Sequence, residues 1–456
     1  MSRRQTASTA LRSHAAHAAD VAKTRVRRPR VPAPRRRFAG VWRYFAVLGP
    51  GLIVANAGND AGGIFTYSNI GAKYGTVLLW SFIPILIALI VTQEMVARLG
   101  CVTGKGLMDL IRERFGVGWT LFAAVVVIVA NGGTTLAEFA GVAGGLGLLG
   151  VSRVAAVGGA AILIAIVVLR GNRKLVERVF LALGLAFISY IVTAFTVHPD
   201  WTAIGHDVIT PSLRHPGSVS TGVLIADIIA LVGTSITPYM QLFLQSSIVD
   251  KGTPEREIWL VRADVISGSV FAVVVAGFIV ITTGSTIFHT LVGVGLDPAT
   301  GTTQAAAALG PLAGVHAEQL FAVGLIGASL LAAAVLPLST AFVVCEAFGA
   351  ERSVQSRFAD APVFFTLFLG LIAVSAAIML FPQVPISGVA IGTQVVDGML
   401  LPVLLVFIVI LCNDKRLLGK RSNGRIYNVI AVGLASMLVV LTGALLFTTL
   451  FPALLG

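Results

Sequence analysis

Asn56-Ala57-Gly58-Asn59-Asp60-Ala61-Gly62-Gly63 lies in the middle of the first long apolar segment of the chain, Tyr44 to Tyr74. Leu52-Ile53-Val54-Ala55 leads into it and Ile64-Phe65 follows. A carboxylate at the centre of a segment long enough to span a membrane is costly and marks a functional site. The glycines and asparagines around Asp60 weaken a helix. Non-helical backbone is tolerated at membrane depth only where it is buried in protein or lines a cavity. The stretch therefore predicts a broken helix that presents Asp60 and free carbonyls to a small cation.

The rest of the chain supplies the membrane. Of 456 residues, 56% are hydrophobic and only 12% charged, which sets the protein apart from soluble domains. The apolar length accommodates about eleven spans of roughly twenty residues, predicting an all-α polytopic membrane protein. The spans read as 45–72, 76–98, 118–149, 153–170, 177–197, 221–249, 263–289, 317–348, 361–382, 386–412 and 425–453. The net charge of +12 is concentrated in residues 1–43, where twelve Lys/Arg face Asp20 alone. This Arg-, Ala- and Pro-rich stretch reads as a disordered tail that touches anionic lipid. No aromatic residues interleave its basic runs, so nucleic acid is not an expected partner. No apolar core precedes residue 44, which argues against a secretory signal.

Alternate connections are basic. Lys105, Arg112 and Arg114 follow the second span; Arg173, Lys174 and Arg178 the fourth; Lys251, Arg256 and Arg262 the sixth; Arg352 and Arg357 the eighth; Lys415, Arg416, Lys420, Arg421 and Arg425 the tenth. The opposite connections are nearly free of Lys and Arg. The positive-inside bias thus predicts a cytoplasmic amino terminus and an external carboxy terminus, in a plasma (inner) membrane. Cys101, Cys345 and Cys412 are scattered near span ends, with no disulfide framework or metal spacing. All seven histidines fall in tails, loops or span ends, so none is available at mid-membrane.

A second span is interrupted in the same manner, at Gly233-Thr234-Ser235-Ile236-Thr237-Pro238-Tyr239-Met240-Gln241. Pro238 removes a helix hydrogen bond and frees a carbonyl one turn earlier. Interrupted helices five spans apart point to an inverted-repeat transporter with a site at the midplane. The repeats would be residues 44–200 and 220–412, with 425–453 an added helix of the transmembrane domain 44–456.

Taken in order, several motifs resemble the Nramp divalent-metal transporters: Gly49-Pro50-Gly51, Asp60-Ala61-Gly62-Gly63, Gly71-Ala72-Lys73-Tyr74-Gly75, Leu79-Trp80, Ala97-Arg98-Leu99-Gly100, Thr103-Gly104-Lys105, Leu136-Ala137-Glu138, Thr237-Pro238 and Asn413-Asp414. The resemblance covers the chain after residue 40. It implies a LeuT-type five-plus-five fold with broken helices 1 and 6, and movement of Mn²⁺ and Fe²⁺ with protons. Four departures stand out against the family pattern. Gly63 replaces an Asn ligand, Thr237 a methionine and Tyr239 a histidine; Thr135 stands where the family has an acid three residues before Glu138. This pattern resembles the divergent Nramp-related branch that transports Mg²⁺.

Donor chemistry agrees with that branch. Thioether ligands select softer metals, whereas carboxylate, carbonyl and water suit Mg²⁺. Asp60, the Thr237 hydroxyl, carbonyls near Asn59 and Thr234, and the Gln241 amide make an all-oxygen set, with Gly63 leaving room for a partly hydrated ion. Gln245, Gln394, Asp397, Glu138, Asp227 and Tyr239 are candidates for supporting positions or the permeation path. Glu94 and Arg98 have the spacing of a helix ion pair. The expected function is uptake of Mg²⁺, with Mn²⁺ tolerated, by alternating access and without obligatory proton coupling. Alternatives are a proton-coupled Mn²⁺/Fe²⁺ symporter, a non-transporting membrane sensor or scaffold, and an organic-cation carrier on the same fold. No nucleotide loop or catalytic cluster suggests an enzyme, and no cofactor is expected beyond the transported ion.

Overall fold

A computed structural model describes residues 59–169, 188–349 and 361–450. The basic tail, the first half of the first span with Asn56, the start of the fifth span, and the loop with Arg352 and Arg357 lie outside the described residues. No strand occurs among those described. Among the described residues, eight helical segments are long and apolar enough to cross a membrane, and two shorter apolar helices, Arg153–Leu169 and Ile188–Val197, accompany them.

The helices are α1 (Ala61–Tyr74), α2 (Phe82–Thr103), α3 (Leu107–Phe115), α4 (Val117–Leu148), α5 (Arg153–Leu169), α6 (Ile188–Val197), α7 (Trp201–Ile209), α8 (Thr221–Ser235), α9 (Pro238–Lys251), α10 (Ile258–Thr286), α11 (Gly301–Ala307), α12 (Ala317–Phe348), α13 (Pro362–Leu380), α14 (Ile386–Asn413) and α15 (Arg425–Leu450). Most expected spans recur within a few residues. The second is displaced: Thr76–Ser81 forms turns and a 3₁₀ segment, and α2 runs on to Thr103, where Gly104 ends it at φ 63°. A left-handed residue closing a helix is a position that glycine fills without strain. The seventh begins earlier, at Ile258, because its first turns carry Arg262 at the membrane edge.

The apolar core forms two clusters. One gathers α1, α2, α8, α9, α10, α14 and α15 around residues such as Phe65, Ile70, Met95, Leu231, Ile279 and Leu404. The other joins α4, α5, α12 and α13 through Phe139, Val157, Leu331, Phe364 and Phe368. Helix α14 packs on α1, α4 and α8, and so links the two interrupted spans to α4.

On the basic side, Glu94 is ion-paired to Arg98 at 3.2 Å and to Arg262 at 2.7 Å. The predicted helix pair is thus extended by a cation from α10, which neutralises a carboxylate that is only 4% exposed.

Candidate functional site

The first break begins with Asp60. It caps α1 in an extended conformation, and its Oδ1 accepts from the Gly63 N–H at 2.7 Å. Helix N-termini leave amide donors without partners, and an Asp side chain satisfies one of them. Its other oxygen, Oδ2, has no protein partner, nor has either polar atom of the Asn59 amide. Both residues are buried, Asp60 to 1% exposure.

The second break falls at Ile236-Thr237, between α8 and α9. Thr237 has extended φ and ψ of −70° and 148°, and Pro238 takes the first helical position. Proline is suited to that position and has no N–H to return to the Thr234 carbonyl. The Thr237 hydroxyl does not cap its own helix. Its Oγ1, the Thr234 Oγ1 and both polar atoms of Gln241 have no protein partner, although all three residues are fully buried. Tyr67 on α1 reaches the end of α8, its hydroxyl 3.2 Å from Ser235 Oγ. Ser235 gives its own proton to Leu231, so Tyr67 is the donor.

Helices α4 and α14 close the site. Glu138 Oε2 accepts from the Ala61 N–H at 3.3 Å, a second amide of the α1 terminus held by a carboxyl group. The Glu138 and Asp60 carboxyls are neighbours. Thr134, one turn before Glu138, places its hydroxyl 2.7 Å from Asp397 Oδ2. The opposite oxygen of Asp397 and the Gln394 Oε1 are without protein partners. Gln394 lies against Gly62, where a Cβ would strike its amide nitrogen. Gly233 approaches the Gln394 carbonyl and the Gly398 backbone so closely that a Cβ has no room.

Burying a polar atom without a partner costs about 1–3 kcal/mol, and native interiors rarely leave several together. Here the unsatisfied atoms of Asn59, Asp60, Thr234, Thr237, Gln241, Gln394 and Asp397 all belong to the two breaks and to the helix that packs across them. Carboxylate, hydroxyl and amide oxygens dominate. The nearest sulfur in sequence, Met240 Sδ, lies 3.9 Å from Gln93 Nε2 on α2. Oxygen donors of this kind are of the class that suits small hard cations.

Other candidates are placed differently. Gln245 donates to the Lys105 carbonyl at 2.9 Å, which ties α9 to the connection before α3. Asp227 is ion-paired to Lys73 rather than open at an outer vestibule. Tyr239 is buried directly after Pro238, and Gly63 contributes through its amide on Asp60. Sequence reasoning passed over Thr134, whose i, i+4 spacing to Glu138 was a usable signal. It also missed Asn131, which donates to Thr340 at 2.8 Å, and Ser329, packed at Gly141 beside Ala61. Those two are set by helix packing across 209 and more than 180 residues, and carry no local signature.

Comparison with known proteins bears on the whole chain. The Nramp profile, "Natural resistance-associated macrophage protein-like", matches residues 51–448. A protein of Verminephrobacter eiseniae named divalent metal cation transporter MntH is 28% identical over 437 residues, covering 91% of this chain and 92% of its own. Among solved structures, the Eremococcus coleocola manganese transporter, crystallised with an aromatic bis-isothiourea substituted compound, superposes with a TM-score of 0.73 at 18% identity, covering 92% of this chain and 89% of the other. MhsT in complex with L-phenylalanine superposes at 0.53 and 14% identity, over 87% and 97% of the two chains.

Proposed function

This chain belongs to the Nramp family and has its LeuT-like helical fold, and on that premise we propose that it transports divalent cations across the membrane, with Mg²⁺ the preferred ion and Mn²⁺ also accepted. The observation that carries the reading is the set of buried oxygen atoms without protein partners at the two helix breaks. Oxygen donors suit Mg²⁺, which keeps several of its waters. Thr237 offers a hydroxyl where the resembling family offers a thioether, and Gly63 leaves space where it offers an amide. The curated relative named a divalent metal cation transporter supports the broader substrate class.

Asp60 carries the charge that meets the ion, through the oxygen not used to cap α1. Thr237, Thr234 and Gln241 supply neutral oxygens from the second break, and Gln394 and Asp397 face the same region from α14. Access alternates as the broken spans rearrange around these groups. Uptake is driven by the membrane potential, worth about 2.3 kcal/mol per charge per 100 mV. The basic connections support a cytoplasmic amino terminus.

One observation favours a second reading, proton-coupled Mn²⁺ symport: the Glu138 carboxyl adjoins Asp60, and adjacent acids can share and release a proton. Uptake into proteoliposomes with competing Mg²⁺, Mn²⁺ and Ca²⁺ and an internal pH dye separates the two. Mg²⁺ flux without acidification supports the first. Strong Mn²⁺ preference with acidification replaces it by the second, and full flux in Asp60→Ala refutes the site.

A further inference from the structure

The outer surface of the bundle carries a concave apolar cavity of about 270 Å³. Phe115 at the end of α3, Trp119 and Phe122 at the start of α4, and Val403, Phe407 and Ile410 late in α14 line it. The aromatic rings hold one another: Phe115 meets Phe407 edge-on at 5.2 Å, and Trp119 lies 6.1 Å from Phe407. Yet Trp119 and Phe122 remain 57% and 46% exposed. On the bilayer side of a membrane protein, such a recess must be filled by something apolar, because an empty one forfeits contacts on every wall.

Its mouth is charged. Arg114, next to Phe115, pairs with Asp414 at 3.3 Å, and this pair joins the end of α3 to the end of α14 at the basic edge of the bundle. Asp414 also caps the turn that follows, accepting from the Arg416 N–H at 2.8 Å. Lys415 and Arg416 are exposed beside it. Arg114 thus stands next to the cavity wall, with the exposed Lys415 and Arg416 directly after its Asp414 partner. Cations at that level of a membrane favour anionic headgroups, and Trp at the interface anchors there.

We propose that this cavity is a binding site for one anionic glycerophospholipid, with an acyl chain between α4 and α14 and its phosphate at Arg114, Lys415 and Arg416. A zwitterionic lipid matches the cavity but not the mouth. A second copy of the chain would bring the same three cations to the same place, and like charges oppose that pairing. The site is remote from the helix breaks but built on α4 and α14, the helices that carry Glu138 and Asp397.

The test uses the full chain in mild detergent, titrated with phosphatidylglycerol or phosphatidylcholine and weighed intact by native mass spectrometry. Wild-type protein is expected to retain one phosphatidylglycerol in preference to phosphatidylcholine. Arg114→Gln, Lys415→Gln and Arg416→Gln, all at exposed positions, each weaken that retention about fivefold and together remove the preference. Val406→Trp, which fills the cavity from a wall residue that is 49% exposed, displaces both lipids. Equal retention of the two lipids by wild type overturns the proposal. So does retention unchanged in the triple variant, or a dimer whose formation Val406→Trp abolishes.

Discussion

Lys73 Nζ lies 2.9 Å from Asp227 Oδ2, across 154 residues of sequence. The Tyr74 hydroxyl donates to the same oxygen at 2.7 Å, and the Asn69 amide reaches the other at 3.5 Å. The far end of α1 is thereby fastened to α8. The connection after α10 joins them: the Leu296 N–H donates to Asn69 Oδ1 at 2.9 Å and the Gly293 N–H to the Lys73 carbonyl at 3.1 Å. Both charged side chains are about nine-tenths buried. Removing one member of such a pair leaves the other uncompensated, at a cost of about 3–5 kcal/mol. Asp227→Asn is therefore expected to lower the unfolding temperature more than the double variant Lys73→Met/Asp227→Leu, as measured by thermal unfolding in detergent. The single variant should also increase labelling of an introduced Asn69→Cys by an impermeant thiol reagent.

Asp60→Asn keeps a capping oxygen for the Gly63 amide but loses the charge. Mg²⁺ uptake should fall by more than about a hundredfold while thermal stability changes by less than about 1 kcal/mol. Uptake and melting measured on one preparation check both halves of the prediction. A large loss of stability with the residual flux unchanged would assign Asp60 to capping alone.

Thr237→Met restores a soft donor at the second break. The Mn²⁺ to Mg²⁺ uptake ratio should rise about tenfold, equivalent to about 1.4 kcal/mol of relative preference. Competition of labelled Mn²⁺ by unlabelled Mg²⁺ reads it directly, and an unchanged ratio would remove Thr237 from the set that meets the ion.

Gly62 and Gly233 should differ in tolerance. A methyl at Gly62 meets the end of a Gln394 side chain, which can rotate away; at Gly233 it meets backbone of α14, which cannot. Gly233→Ala is expected to cost about 1–3 kcal/mol or more. Gly62→Ala should leave stability nearly unchanged and reduce uptake by moving Gln394. Paired melting curves and flux assays decide.

Outside the membrane, Asp297 organises the connection between α10 and α11. Its Oδ1 accepts from the Thr300 and Ala299 amides, both at 2.8 Å, and from the Thr300 hydroxyl at 3.1 Å. These bonds, the Thr300 amide foremost, hold its carboxyl below the ordinary value of 3.8. A depressed acid stabilises the loop above that value and loses the contribution as pH falls through the folded one. The protection factors of the Ala299 and Thr300 amides should therefore stay high at neutral pH and fall only in acid below 3.8, and Asp297→Ala, which leaves no side-chain oxygen to accept from them, should lower both at every pH.

The sequence made the spans legible because each is a continuous apolar run, and the two breaks legible because Gly, Asn and Pro have local backbone consequences. Thr237-Pro238 and Asp60 were readable for that reason. Partnerships across the bundle were not. Asp227 looks alike on paper whether it faces water or Lys73, and only the packing of α1 on α8 decides. Thr134 and Asp397 are 263 residues apart, and Gln245 shares a helical face with Gln241 in sequence yet donates its amide to Lys105. Span ends slipped where polar residues continue a helix past the hydrocarbon, as at Thr103 and Ile258.

Where Gly233 meets the backbone of α14, main chain touches main chain with no side chain between to yield. Two such helices have little freedom to slide and behave as a single lever. Gln394 and Asp397 ride on that lever together with Thr234, whereas Gln241 lies beyond the Ile236-Thr237 joint. Any swing at the joint therefore changes the distance between donors on its two sides. On the proposed mechanism, an ion held by donors on both sides of the joint would gauge how far the carrier has turned.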